Sequence, residues 1–339
     1  MRILHLAAGN RWTGAAAPAF AEVEALRAAG HDAHYAYVGG YKLQAKIDHF
    51  SFAHPIIEKN QNPASFLRSV RAVERLVHAH GFDVLHTHLT YDHWLARFVA
   101  RDHPPVRLAR TFHARRVLRR DPLSRSLLAA TALRFVINRD FVVPGAFFTP
   151  PPIDHRQFHP DGPRIDLAGP IVTVIGKLSP GRGFEEAIHT LAKLRERVPC
   201  RLMIIGHGEH RPALEALVRE LGVDVFFAGY HEDDLAEHYR ASSLLLFTAR
   251  GSDEGHRAVL EAMACGVPVA TMPIEGMDAL VPREWIAAAN DPEALAVTAA
   301  ALLANPPRDA YERSLEFGYE PAARRLIAAY APAMPTQSL

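Results

Sequence analysis

Short apolar runs of β type alternate with stretches of helical periodicity along this chain, and that alternation leaves few folds open. The strand-like runs are Ile3–Leu6, Ala33–Val38, Val84–His88, Arg107–Thr111, Phe135–Ile137 and Gly145–Thr149, then Ile171–Ile175, Arg201–Ile205, Val225–Ala228, Leu244–Phe247 and Val267–Thr271. Between them, Phe66, Leu67, Val70, Val73, Leu76 and Val77 recur at helical spacing, as do Leu214, Leu217, Val218 and Leu221. Such alternation means βαβ units around parallel sheets. The pattern restarts near residue 170, after Pro150-Pro151-Pro152, Pro160 and Pro163. Domains commonly run to roughly 100–200 residues, so 339 residues predict two doubly wound α/β domains, 1–162 and 163–320, followed by a C-terminal segment, 321–339. Ligands of such sheets bind beyond the carboxyl ends of the strands. Two facing sheets would place the site in a cleft between domains.

Composition narrows the setting. Cys200 and Cys265 are too few for a disulfide framework, which favours a reducing, cytoplasmic location. The apolar run at Ile3–Ala8 is too short for a signal peptide and reads as a first strand. Nothing approaches the roughly 20 apolar residues needed to cross a bilayer. Charge is split: residues 1–160 hold 21 Lys and Arg against 12 Asp and Glu, and the remainder 17 against 25. That asymmetry suits either an anionic partner for the first half or two halves that attract each other. No nucleic-acid-binding module accompanies the basic half, and no G-x-G-x-x-G follows the first strand, which disfavours a dinucleotide-dependent oxidoreductase.

The second half carries the sharpest signal. Ile171–Ile175 runs into Gly176-Lys177-Leu178-Ser179-Pro180-Gly181-Arg182-Gly183, with a helix from Phe184. Glycines let a loop approach a ligand, and a helix N-terminus attracts anions. Lys177 and Arg182 add two cations, so the loop suits a pyrophosphate; the alternative is an ordinary βα turn with surface charges. A second signal follows Leu244–Phe247. There Gly251-Ser252-Asp253-Glu254-Gly255 leads into a helix over His256–Ala264, with Ser252 or Asp253 as N-cap. Glu261 interrupts an apolar face and needs partners, either a ribose diol or a nearby Arg or Lys.

These residues carry a resemblance. Asp253-x7-Glu261 with Glu261-Ala-Met-Ala-Cys-Gly-Val-Pro-Val resembles the acidic signature of the family-4 retaining glycosyltransferases. The glycine loop resembles that family's Gly-Arg-Leu-x-x-x-Lys-Gly motif with both cations exchanged. Pro152-Ile153-Asp154-x-x-x-Phe158-x-Pro160, Ile204–Gly208, Val225–Gly229, Asp83–His88 and Thr111-Phe112-His113 match further landmarks in order. The resemblance implies a GT-B fold, with the two Rossmann-like domains facing across a cleft and a C-terminal helix, Pro321–Tyr330, returning to the first domain. It implies that Lys177 and Arg182 hold the donor pyrophosphate and act in catalysis, that Glu261 binds the ribose, and that Asp253 or Glu254 lies near the donor sugar. Gly14, Gly176, Gly255 and His256 would bring backbone to the donor, and Tyr230 or His231 would meet the base. Lys177 stands where Arg is usual, Arg182 where Lys is usual, Asp253 where Glu is usual, and Ala15 follows Gly14 where a second glycine is usual.

In the first half, His113 ends a strand run and is a candidate catalytic residue that hydrogen-bonds the transferred sugar or moves a proton; a purely structural histidine is the alternative. His86 and His88 share one strand face, a spacing that suits a metal, but no carboxylate-rich motif accompanies them and no metal is expected. Arg115, Arg116, Arg119 and Arg120, followed by apolar residues, suit an anionic membrane surface or an anionic acceptor; a solvated basic helix face is the alternative.

The expected reaction is transfer of a sugar from a UDP- or GDP-sugar to a hydroxyl of a glycan or lipid-linked acceptor, as in lipopolysaccharide or cell-envelope synthesis. Retention of configuration and independence of metal and cofactor are expected with it. The expected location is cytoplasmic, with peripheral contact to the inner membrane face as one reading of the arginines. The rivals are a sugar-nucleotide epimerase and a non-catalytic subunit that binds a glycan or a partner enzyme.

Overall fold

The computed structural model describes residues 1–9, 12, 15–58, 62–103, 105–114, 121–249 and 256–331, in two compact units. The first comprises Met1–Pro152 and the chain from Tyr319 onward, the second Ile153–Gly318.

The first unit runs β1 (Arg2–Ala7), α1 (Ala16–Ala28), β2 (Asp32–Val38), α2 (Lys42–Ile47), β3 (Ala53–Ile57), α3 (Pro63–His80), β4 (Val84–Thr87), α4 (Thr90–Asp102), β5 (Arg107–Phe112), α5 (Pro122–Ala129), β6 (Leu133–Val136) and β7 (Ala146–Phe148). All strands are parallel, in the order β3-β2-β1-β4-β5-β6-β7. The order reverses between β1 and β4, the switch point at which doubly wound sheets hold ligands. The sequence pattern passes over β3, because His54 and Pro55 interrupt its apolar run. Proline is tolerated there because β3 is an edge strand.

The second unit runs β8 (Ile171–Ile175), α6 (Phe184–Leu194), β9 (Arg201–Ile205), α7 (Arg211–Leu221), β10 (Val225–Gly229), α8 (Leu235–Arg240), β11 (Leu244–Phe247), α9 (Arg257–Ala264), β12 (Val269–Thr271), α10 (Pro292–Ala304) and α11 (Ala310–Ser314). Its parallel order is β10-β9-β8-β11-β12, with the reversal between β8 and β11. The proline-rich stretch after 152 belongs to this unit. Ile153 N–H donates to the Phe317 carbonyl at 2.9 Å, and Arg240 donates to the carbonyls of Pro163 (2.6 Å) and His159 (3.3 Å).

The last helix, α12 (Tyr319–Tyr330), packs on α1 in the first unit. Ala322, Ala323, Leu326 and Tyr330 join Phe20, Val23 and Leu26 in one buried cluster. Tyr319 Oη donates to Glu24 at 2.9 Å, and the Tyr330 carbonyl accepts from Arg107. Each fully buried large side chain is worth about 1.5–3 kcal/mol, so this apolar stripe holds α12 in place. Among the described residues no helix is long and apolar enough to cross a membrane.

Candidate functional site

In the second unit, the loops beyond the carboxyl ends of β8, β9, β10 and β11 are laced together by backbone. Gly176 N–H donates to the Ile205 carbonyl (3.0 Å), Leu178 N–H to His207 (3.0 Å) and Gly206 N–H to Gly229 (2.6 Å). Thr248 Oγ1 donates to the Gly183 carbonyl at 2.6 Å. Two glycines make this closeness possible. A Cβ on Gly206, whose φ is +141°, would lie 1.9 Å from the Gly176 carbonyl oxygen. A Cβ on Gly183, whose φ is +85°, would lie 2.1 Å from the Thr248 carbonyl oxygen. Both φ values are in the region that favours glycine. Gly206→Ala is therefore expected to displace loop 176–183 and to cost about 2–4 kcal/mol, from strain and overpacking together. A urea unfolding midpoint equal to that of the parent would refute this account of the loop.

Gly183 caps the N-terminus of α6, so loop 176–183 delivers its cations to a helix N-terminus at the switch point. Leu178 is fully buried and anchors the loop, while Lys177 is exposed. Its ammonium is 3.9 Å from Glu209 Oε2, and both side chains are about two-thirds in solvent. Such a pair is worth about 0–1 kcal/mol, so Lys177 is readily re-aimed toward an anion. Arg182 is half-buried on the same loop. In the first turn of α6, Glu185 is held by His210.

Tyr230 follows β10, is 61% exposed, and sets its ring edge-on to His207, centroids 5.2 Å apart. Its Oη donates to Glu232 at 2.8 Å. His231 is held by Asp234 at 2.8 Å, through Nδ1, and points Nε2 at the Ala228 carbonyl at 3.0 Å. Of the two candidates for meeting a planar base, Tyr230 thus offers the open face.

The helix expected over His256–Ala264 begins at Arg257, because His256 is its left-handed cap, with φ +50°. Among the described residues His256 is the only non-glycine with positive φ, and such strain persists where the surroundings enforce it. The ring is buried. Nε2 faces the Glu275 carbonyl at 2.8 Å, so it is Nε2–H that donates there, and Nδ1 is buried with no hydrogen-bond partner among the described residues. Glu261, one turn along, is 5% exposed. It accepts from Arg257 Nε at 2.7 Å and from Tyr239 Oη at 3.2 Å. The partner arginine considered from sequence is thus present. Gly14, Asp253, Glu254, Gly255, Arg115, Arg116, Arg119 and Arg120 lie outside the described residues.

In the first unit, His113 follows β5 and is half-buried. Its Nε2 is 2.9 Å from His88 Nδ1, and its Nδ1 is buried without a partner among the described residues. Burial, aided by Arg110, lowers its pKa to about 3, so the ring is neutral at physiological pH. Behind it lies a cluster that the sequence did not reveal. His5 of β1, His86 of β4, His88 and Glu22 of α1 are all essentially inaccessible. His86 shares hydrogen bonds with Tyr330 Oη (2.5 Å) and Thr111 Oγ1 (2.7 Å). Desolvation drives the whole group toward neutrality: His5 is lowered to about 3, His86 and His88 are well below the usual range, and Glu22 is raised to about 8. The one sequence signal was Glu22 itself, a carboxylate set among Ala19, Phe20, Val23, Ala25 and Leu26 in α1.

A further surface feature of the first unit is an apolar groove of about 770 Å³ lined by Phe66, Leu89, Tyr91, Trp94, Phe98 and Leu123. Phe98 and Leu123 are 44% and 69% exposed, unusual for large apolar side chains grouped together.

Known proteins match both halves. Residues 12–140 match the family model described as Glycosyltransferase Family 4, and residues 169–305 the one described as Glycosyl transferases group 1. A GDP-mannose-dependent alpha-(1-6)-phosphatidylinositol monomannoside mannosyltransferase of Mycolicibacterium smegmatis is 35% identical over 138 residues, 35% of this chain and 36% of that protein. The chain thus matches about a third of that relative's length. A D-inositol 3-phosphate glycosyltransferase of Kribbella flavida is 27% identical over 343 aligned residues, 83% of this chain and 79% of that protein. In three dimensions the chain is similar to a glycosyltransferase from Rickettsia africae, with a TM-score of 0.80 at 15% identity over 97% of each chain.

Proposed function

We propose, for a chain that belongs to the family-4, group 1 glycosyltransferases by both of its halves, that it transfers a sugar from a nucleoside diphosphate sugar to an acceptor hydroxyl with retention of configuration. The observation that carries this reading is loop 176–183. It is backbone-locked at the switch point of the second sheet, ends in the N-cap of α6, and bears Lys177 and Arg182. In the proposed reaction the bond between the anomeric carbon and the diphosphate oxygen breaks, and charge grows on the leaving diphosphate. Lys177, Arg182 and the N-terminus of α6 meet that charge, which requires neither a metal nor a separate cofactor. The acceptor hydroxyl attacks the same face, and the leaving phosphate accepts its proton. Glu261 receives the ribose hydroxyls, and Tyr230 stacks on the base. The neutral His113 hydrogen-bonds the transferred sugar, and Asp253 or Glu254 contacts it.

For the acceptor we propose a lipid-linked glycan or polyol. The apolar groove between α3, α4 and α5 suits an alkyl chain, and Leu123 lies only a few residues along the chain from Arg115–Arg120. Those arginines would meet an anionic head group at the inner face of a membrane. Vesicles containing anionic lipid are expected to retain the protein at low salt. Failure to do so removes the membrane part of the proposal alone.

The donor site is tested by thermal unfolding with UDP, GDP and ADP in turn. A ligand at about 100 times its Kd stabilises the folded state by about 2.7 kcal/mol, which raises Tm by about 5–10 °C for a unit of this size. The matching sugar nucleotide is then offered with lipid-linked acceptors, and the anomeric configuration of the product is read. The reading fails if no nucleoside diphosphate shifts Tm, and donor turnover without an acceptor would favour an epimerase.

A further inference from the structure

We propose that His5, Glu22 and His88 form a buried site for a divalent cation of the zinc class, which ties α1 to the switch point of the first sheet and sets the tautomer of His113. The three candidate ligand atoms are His5 Nδ1, His88 Nε2 and Glu22 Oε2. They are separated by 3.0 Å between the imidazoles and by 3.5 and 3.8 Å from each imidazole to the carboxylate. Ligands bonded to one tetrahedral zinc at about 2.0–2.2 Å stand about 3.3–3.6 Å apart. The observed edges of 3.0, 3.5 and 3.8 Å lie within about 0.3 Å of one face of such a tetrahedron, so small side-chain adjustments complete it. Two imidazole nitrogens and one carboxylate oxygen are also the donor types that zinc accepts.

A second observation points the same way. Glu22 Oε2 is buried, aims at both imidazoles, and has no hydrogen-bond partner among the described residues. An orphaned carboxylate oxygen in the interior costs free energy, and a cation bonded to it removes that cost. The outer partners fit as well. With His88 bonded through Nε2, its Nδ1–H donates to His113 Nε2, 2.9 Å away. With His5 bonded through Nδ1, its Nε2–H faces Tyr330 Oη at 3.5 Å. Ligating histidines characteristically donate their second ring N–H in this way. His86 also has a ring nitrogen within 4.8 Å of the other three donor atoms, but Tyr330 and Thr111 hold both of its nitrogens, so the proposed fourth ligand is a water molecule.

The residues come from β1, α1 and the end of β4. The motif is thus invisible along the chain, and His86 and His88 looked unsupported because their carboxylate partner lies far away in sequence. The consequence for His113 follows from proton bookkeeping. Its Nε2 becomes the acceptor, so its Nδ1, which has no partner among the described residues, carries the proton and offers it to a substrate oxygen. This consequence rests on the proposed transfer reaction; the cation site itself does not.

The test strips the full-length protein with a chelator and titrates it with Zn²⁺ and Co²⁺. About one tight equivalent per chain is expected, with a Co²⁺ visible spectrum of tetrahedral type and a Tm that rises with free metal. X-ray absorption at the zinc edge should show nitrogen and oxygen ligands at about 2.0–2.2 Å. Glu22→Gln should weaken uptake at least about 10-fold, whereas His34→Gln, in a separate histidine cluster with Asp32 and His80, should leave it unchanged. Wild-type protein that takes up no tight equivalent overturns the proposal, as does folded Glu22→Gln protein that binds metal like the parent. If Glu22→Gln does not fold, a non-tetrahedral Co²⁺ spectrum in the parent overturns it instead. None of these readouts depends on sugar transfer, so the site and the transfer reaction can fail separately.

Discussion

Arg182→Ala and Lys177→Ala are each expected to lower kcat/KM by about 10²–10³-fold, the usual loss when one preorganised donor to a developing anion is removed. The loss should appear mainly in kcat, because the diphosphate acquires its extra charge only as the glycosidic bond breaks. The fold should be untouched by Lys177→Ala. Among the described residues the ammonium has an exposed contact with Glu209 at 3.9 Å, worth about 0–1 kcal/mol, and loop 176–183 is held by backbone hydrogen bonds and buried Leu178 instead. Arg182 is more deeply set, so its variant needs a Tm alongside its rate. The double variant should lose less than the product of the single losses, since both cations act on one charged group. Full turnover by either single variant would remove that residue from the reaction.

How much of this was legible in the sequence depended on whether the determinant was local. The β8–loop–α6 unit was legible because Ile171–Ile175, the glycines and Phe184 follow one another, and the structure keeps those bounds. β3 was not, since its apolar pattern is broken by Pro55 and it survives only as an edge strand. The sequence pattern makes His256 the first residue of a helix. Its positive φ, imposed by the surrounding fold, makes it the cap instead. The role of Gly206 could not be seen at all, since it depends on the carbonyl of Gly176 on a neighbouring strand's loop. The same holds for His5, Glu22 and His88, which only the β1–β4 pairing and the packing of α1 bring together. Glu261 lay between these cases. Its need for a partner was evident, and Arg257 was one turn away, but Tyr239 arrives from α8.

Acidification from pH 7 to pH 4 is expected to destabilise the first unit by at least about 3 kcal/mol, and the sign follows from which state binds more protons. Burial lowers His5 and His93 to about 3 in the folded chain, against about 6.5 unfolded. Between those values only the unfolded state takes up the proton, so the stability these groups allow above pH 6.5 is lost as pH falls toward 3. Down to pH 4 each contributes a loss of about 3.4 kcal/mol, at 1.36 kcal/mol per pH unit. Glu22 acts in the opposite sense. Its folded pKa is raised to about 8, so its protonated form favours folding as pH falls from 8 toward 4.5, and it returns about 3.4 kcal/mol between pH 7 and 4.5. The remainder is a net loss of about 3 kcal/mol, to which the lowered His86 and His88 add. A cation held by His5 and His88 leaves the sign unchanged, because protons compete with it for the same nitrogens. For a unit of this size the loss corresponds to a Tm lower by about 6–12 °C. Hydrogen exchange should show the first unit opening before the second, since these buried imidazoles all lie in the first. A Tm that stays level from pH 7 to pH 4, or a second unit that opens first, would contradict the assignment of these histidines as buried and neutral.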